Sequence, residues 1–205
     1  AADPGGTGPR VRGELDRIGY LGAAPCPGPA PHAFVELHVE QGPVLEARGV
    51  RIGAVTGVQG ISWTRVTFTG QSNHAGTTPM AMRRDPAAAL ARIAVFVNAL
   101  AERFGAPPVA TAGRIELHPN LINVVPSRGT FTVNLRNTDE DILRRAEAEL
   151  DAELARIAER HGVDVETESL ARFEPVAFDE RVVSKVESAA AARGLSVQRM
   201  PSGAG

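Results

Sequence analysis

The chain has 205 residues, 43% hydrophobic and 22% charged, with a formal net charge of −2. That composition admits a packed core and argues against disorder. Acids and bases are interspersed, which excludes the charge signature of a nucleic-acid or anionic-membrane surface, and no apolar run approaches the ~18 residues of a membrane span.

The start, Ala1 to Arg10, is rich in Gly and Pro; it lacks an initiator Met and the apolar stretch of a signal peptide. Val11 to Gly19 reads as a short helix. The single cysteine, Cys26, excludes an internal disulfide and a thiolate-rich zinc site, so a cytoplasmic protein is the economical expectation. Ala33 to Val39 alternates as a strand does. Pro43 to Arg48 suits a short helix with Pro in its first turn. Ile52 to Thr56 and Ile61 to Thr69 read as strands. Asp85-Pro86 starts a helix as N-cap plus Pro, and Gly105 before Pro107-Pro108 stops it after Phe104. Val109 to Leu117 and Gly129 to Asn137 are two further strands. Thr138 with Asp141 resembles a capping box, opening a helix to His161 that Gly162 closes. Val163 to Leu170 is a strand, and Asp179 to Arg193 a last helix ended by Gly194. With aromatics at only 4%, the core must rest on Ala, Val, Leu and Ile.

Residues 57–170 thus read β-α-β-β-α-β, the order of a ferredoxin-like split βαβ unit. The flanks, 1–56 and 171–205, hold too few elements for a core of their own. They are expected to be two pieces of one α/β domain into which the middle is inserted.

Two stretches concentrate the residues that carry chemistry. In Glu36-Leu37-His38-Val39-Glu40-Gln41-Gly42-Pro43, the alternation puts His38 on one face with Glu36 and Glu40, a start for a metal site or a solvated strand face. In Gly70-Gln71-Ser72-Asn73-His74-Ala75-Gly76-Thr77-Thr78-Pro79-Met80, followed by Arg83-Arg84-Asp85, His74 sits in a turn after a strand. It suits a donor to an oxyanion, or a loop histidine bonding its own backbone. Arg136, at the end of Phe131-Thr132-Val133-Asn134-Leu135-Arg136, lies opposite the apolar face. It suits a bidentate carboxylate clamp or a solvated surface site. Asn123, entering an apolar run, either caps a turn or reads a ligand. Pro201-Ser202-Gly203-Ala204-Gly205 reads as a small-residue turn where backbone can approach a ligand closely. Ser202 is in no Gly-x-Ser-x-Gly elbow, and Gly5-Gly6-Thr7-Gly8 lacks the lysine of a phosphate-binding loop. His161 reads as a contact with a helix dipole, and His32 and His118 as loop residues beside prolines.

Together, Glu36–Pro43, Asn73–Met80 and the supporting Asn123-Val124-Val125-Pro126 resemble the dinuclear-zinc amidohydrolases of the carbamoylase branch. These are the N-carbamoyl-L-amino acid hydrolases, allantoate amidohydrolases and β-ureidopropionases, within a superfamily shared with aminoacylase-like metallopeptidases. The resemblance runs from Gly19-Tyr20-Leu21-Gly22 to Ser202-Gly203-Ala204-Gly205. It implies an incomplete zinc-peptidase-like α/β catalytic domain with an inserted ferredoxin-like lid that also forms a homodimer. It implies that His38 is a metal ligand, that Gln41 lies beside substrate, and that His74 polarises the scissile carbonyl. Asn123 and Arg136 would hold the substrate carboxylate, reaching into a partner subunit's site or closing over their own, and the Gly203 backbone would contact substrate. The cofactor implied is a pair of divalent metal ions, zinc or manganese. The family's other ligands and general base fall outside this sequence, so the chain is expected to be an interior fragment, inactive alone. The implied reaction is hydrolysis of a ureido or carbamoyl C–N bond in a small carboxylate-bearing substrate. A dipeptidase or aminoacylase of the same superfamily is one alternative, and a non-catalytic dimerisation module is the other.

Overall fold

A computed structural model describes residues 9–25, 27–104 and 109–203. The expectations for Gly5-Gly6-Thr7-Gly8, Cys26, the Gly105 stop, Pro107-Pro108 and Ala204-Gly205 lie outside these residues. The chain divides into two units, residues 1–38 and 39–205. No helix of the described residues is long and apolar enough to cross a membrane.

In the first unit, helix α1 spans Val11–Arg17 and buries none of its residues. Arg17 pairs with Glu14 at 2.7 Å, three residues back on the same helix face. The strand expected over Ala33 to Val39 is not formed, since none of these residues joins a sheet. Alternation gives only a tendency; a strand exists by pairing its backbone with a neighbour. Without one, Phe34, Val35 and Leu37 remain exposed.

In the second unit, helix α2 covers Val44–Arg48, and the Glu40 carboxylate accepts from Val44 N at 2.8 Å and Leu45 N at 2.9 Å at its start. Strand β1 spans Ile52–Val58 and β2 spans Gly60–Thr69. A two-residue strand β3, Asn73–His74, and a 3-10 turn, Met80–Met82, precede helix α3, Pro86–Arg103. Then come β4 (Val109–His118), β5 (Val124–Val125), β6 (Arg128–Asn137), α4 (Glu140–His161) and β7 (Asp164–Phe173). The chain continues with β8 (Val176–Ala177), α5 (Glu180–Ala191) and β9 (Val197–Ser202).

Strands β4-β6-β2-β7 form one antiparallel sheet in that order. With α3 and α4 this is the expected ferredoxin-like arrangement. Along β6, Phe131, Val133 and Leu135 face the helices, and Thr130, Thr132, Asn134 and Arg136 alternate to the other face. Val66 and Phe68 of β2 join them under Ile93, Val97 and Leu100 of α3 and Leu143, Leu150, Leu154 and Ile157 of α4. The Phe68 and Phe131 rings stack with centroids 6.2 Å apart. Beyond this pair the core is almost wholly aliphatic, as the composition requires.

The helix ends follow local chemistry. Asp85 caps α3 by accepting from Ala87 N and Ala88 N, with Pro86 behind it. The Thr138–Asp141 box is not formed. Asn137 instead accepts from Asp139 N at 2.8 Å, which places Asp139 to cap α4 through Ile142 N at 3.1 Å. Gly162 closes α4 with a positive φ of 59°, a conformation costly for any residue with a Cβ.

A second sheet, β8-β1-β9, joins the two flanks. Strand β9 runs parallel to β1, so Pro201 and Ser202 belong to a strand and not to the expected turn. Proline is tolerated there because β9 lies at the sheet edge. Helix α5 packs on this sheet with Val183 and Ala190 buried.

Arg172 of β7 ties the start of α4 to the sheet by bonding both Glu140, at 2.7 Å, and Glu147, at 2.7 Å. Burial pushes the Glu140 carboxyl up, but hydrogen bonds and charge from Arg172, joined by Arg144, outweigh it. The group therefore sits below its ordinary value of 4.5. A lowered folded-state value stabilises the fold above the unfolded value, and that contribution is lost as pH falls through the folded value. We expect Glu140→Gln to cost about 1 kcal/mol at neutral pH. Urea unfolding followed downward from pH 4.5 should show the gap between wild type and variant closing.

Candidate active site

The ladder between β2 and β6 sets two ends. At one, Thr69 pairs with Arg128; at the other, Gly60 pairs with Asn137. Four of the residues singled out in the sequence, His74, Asn123, Arg136 and Gly203, fall into two groups at these ends.

His74 and Asn123 lie at the Thr69 end. β3 pairs with β5, putting His74 opposite Val124, and Ala75 N donates to Asn123 O at 2.9 Å. The loop that carries His74 is closed at its base. Gly70 N bonds Ser127 O at 2.8 Å and Gln71 N bonds Arg84 O at 3.0 Å. A Cβ on Gly70 would lie 2.2 Å from Arg84 O, so this approach requires glycine. Within the loop, Gly76 N donates to His74 Nδ1 at 3.1 Å, and Thr78 N donates to His74 O at 3.1 Å. A neutral ring that accepts at Nδ1 carries its proton on Nε2. His74 is exposed, so that N–H can reach a ligand. The neighbouring Asn73 Oδ1 is buried and has no hydrogen-bond partner.

Arg136 and Gly203 lie at the Gly60 end. Arg136 Nη1 donates to Gly203 O, and Nε donates to Asn134 Oδ1 at 3.2 Å. The guanidinium lies 5.9 Å from the ring centre of Trp63, a cation–π distance. Gln59 N donates to Ser202 O at 3.1 Å, which brings β9 to the foot of β2. Two of the five Arg136 N–H groups are engaged here, leaving donors for a carboxylate. Asn134 shares the face of Arg136 by strand alternation, whereas Trp63 had no motif to mark it and only its pairing with Asn134 across β2 and β6 places it beside Arg136.

The two groups do not meet within one chain. Arg128 and Arg136 are separated by eight residues of β6, or ~26 Å of strand.

Gln41, in the second unit, is exposed and has a φ of 53°, the left-handed region that non-glycine residues rarely adopt. His38, in the first unit, is exposed and outside regular secondary structure. Among the described residues no three His, Cys, Asp or Glu side chains come together to hold a metal ion. Glu36 and His38, expected on one strand face, lie outside regular secondary structure.

The other histidines are accounted for. His161 is the last residue of α4. Burial, then the Arg92 and Arg160 charges, hold it below the ordinary imidazole range, and its Nε2 is buried without a partner. His118 ends β4 and is not a loop residue, whereas His32 is exposed and outside regular structure.

Known proteins share this fold. Residues 56–162 match the family model of the peptidase dimerisation domain. An N-carbamoyl-L-amino-acid amidohydrolase of Rhizobium meliloti is 41% identical over 192 residues, spanning 94% of this chain and 46% of that protein. An allantoate amidohydrolase of Escherichia coli is 40% identical over 173 residues, spanning 84% of this chain and 42% of that protein. An amidase of the hydantoinase/carbamoylase family from Burkholderia multivorans superposes with a TM-score of 0.89 at 44% identity, covering 94% of this chain and 47% of that one. The chain spans about half the length of the relatives it matches. By the matched domain the chain belongs to the peptidase dimerisation domain family, and the relatives it matches are carbamoylases and allantoate amidohydrolases.

Proposed function

We propose that this chain supplies the substrate-orienting part of a hydrolase that cleaves a ureido or carbamoyl C–N bond in a small carboxylate-bearing substrate. The observation that carries this reading is the guanidinium of Arg136, seated against Trp63, Asn134 and the Gly203 backbone with donors to spare. The names of the relatives, which cover N-carbamoyl amino acids and allantoate, support the same substrate class.

In this reading Arg136 binds the substrate carboxylate in a two-pronged fashion, and the Gly203 carbonyl beside it lines the pocket. His74 donates Nε2–H to the oxygen of the carbonyl under attack, stabilising the charge that develops there. Asn123, joined to the His74 loop through its own carbonyl, presents its amide from the same side. Gln41, on a left-handed backbone, lies beside the substrate in this reading. His38 contributes one donor to a divalent metal whose remaining ligands lie outside the described residues. A metal of this kind polarises carbonyls and activates water when bound.

Bond lengths limit such a substrate to under ~10 Å between its carboxylate and its ureido carbon. The sheet separates Arg136 from the His74 loop by more than that. The two groups therefore serve one substrate only if they come from two chains, and we propose a homodimer formed through residues 57–170, the inserted lid. Residues 1–56 and 171–205 are then parts of the catalytic domain.

Two outcomes are expected. In the complete hydrolase carrying this segment, Arg136→Ala should raise KM for a carboxylate-bearing ureide about a hundredfold, with little loss of thermal stability. An unchanged KM would sink the clamp, and faster turnover of dipeptides than of ureides would sink the substrate class. Elemental analysis of this chain after equilibration with zinc should find no tightly held metal; two ions per chain would mean that the ligand set is here after all.

A further inference from the structure

We infer that Arg83 is the positioning residue of the His74 site, an inference that rests on the proposed role of His74. Arg83 is half-buried, and its hydrogen bonds go to backbone carbonyls rather than to the imidazole. Its Nε donates to Thr78 O at 2.9 Å and its Nη2 to Ala75 O at 2.6 Å. These two carbonyls stand on either side of Gly76 and Thr77. The planar fork thus clamps the turn from both ends.

The clamp matters because of what the turn does. Gly76 N–H points at His74 Nδ1, and Thr78 N–H points at His74 O. A Cβ on Gly76 would lie 3.3 Å from His74 Cε1, so the ring rests close against the turn. If the turn opens, Nδ1 loses its donor. The ring can then rotate, and the direction of Nε2–H is no longer set.

The backbone that carries the fork is anchored immediately after it. Arg84 donates to Gly162 O and, at 3.2 Å, to Asp164, fixing the next residue to the end of α4. Asp85 caps α3. Arg83 therefore reaches into the loop from a segment anchored to both helices of the core. Lysine is a single point donor on a flexible stem and cannot replace a fork that spans two carbonyls.

The first test is amide hydrogen exchange on this chain, comparing wild type, Arg83→Lys and Arg83→Met. The Met variant should speed exchange at Gly76 and Thr78 about tenfold or more, the Lys variant by less, with β2 and β6 amides unchanged. Unchanged exchange at Gly76 and Thr78 would overturn the inference. If the Met variant loosens the whole sheet, the Lys variant decides: faster exchange confined to the loop supports the clamp, and uniform loosening overturns it.

The second test is a double-mutant cycle in the complete hydrolase. Arg83→Met should lower kcat at least tenfold with KM within about threefold, and should cost almost nothing further when His74 is already Gln. A residue that merely supports the fold would lower activity equally in both backgrounds, which would overturn the inference. If His74→Gln alone leaves activity intact, the role of His74 fails, and with it a positioning role in catalysis. The exchange result then stands only as a statement about the turn.

Discussion

The ladder between β2 and β6 holds Gly60 against Asn137 and Thr69 against Arg128 without a slip in register. The His74 loop and Arg136 hang on its two ends. Antiparallel pairing fixes the backbone, and the side-chain period of two then decides which residues enter the core. Phe131, Val133 and Leu135 bury under α3 and α4; Asn134 and Arg136 are thereby committed to the opposite face. A one-residue slip would bury a guanidinium and expose Phe131, Val133 and Leu135, so the hydrophobic core enforces the placement of Arg136. The same ladder makes the sheet a rigid spacer between Arg136 and the His74 loop.

At the far end, the triplet Arg83-Arg84-Asp85 does three jobs with three successive side chains. One clamps the His74 turn, one bonds the end of α4, and one caps α3. Successive extended residues project in different directions, so a short segment can tie a loop to two helices at once. The loop is exposed, yet its backbone is bonded at its base, at β3–β5 and across the turn. Such pre-ordering suits a group that must present a hydrogen to a developing charge, because no reorganisation is left for the moment of reaction.

Much of this was legible in the residues, for reasons that differ by element. Helix α3 announced itself through Asp85-Pro86 and α4 through Gly162, because caps are local chemistry. The ferredoxin-like order followed from long alternating strands and their spacing. Short strands were hidden. β3, β5 and β8 are two residues each, and their existence is decided by partners distant in sequence. β9 was masked by Pro201, which only its edge position tolerates. Residues 33–39 show the converse, a sound strand pattern with no ladder to join. For the site, motifs marked His74, Asn123 and Arg136 individually. Their separation to opposite ends of a sheet, and the place of Trp63 beside Arg136, are properties of pairing, and the Arg83 fork depends on how the turn folds back; these could be read only from the fold.

The central claim is that one substrate is held by Arg136 of one chain and His74 of another. The most direct measurement mixes two variants of the complete hydrolase, His74→Gln and Arg136→Ala, each nearly inactive alone, under conditions that exchange subunits. Random pairing makes half of the dimers mixed, and each mixed dimer contains one site with both residues intact. The account expects recovery of about a quarter of wild-type activity. No recovery, with subunit exchange verified, would place both residues in one chain's site and contradict it.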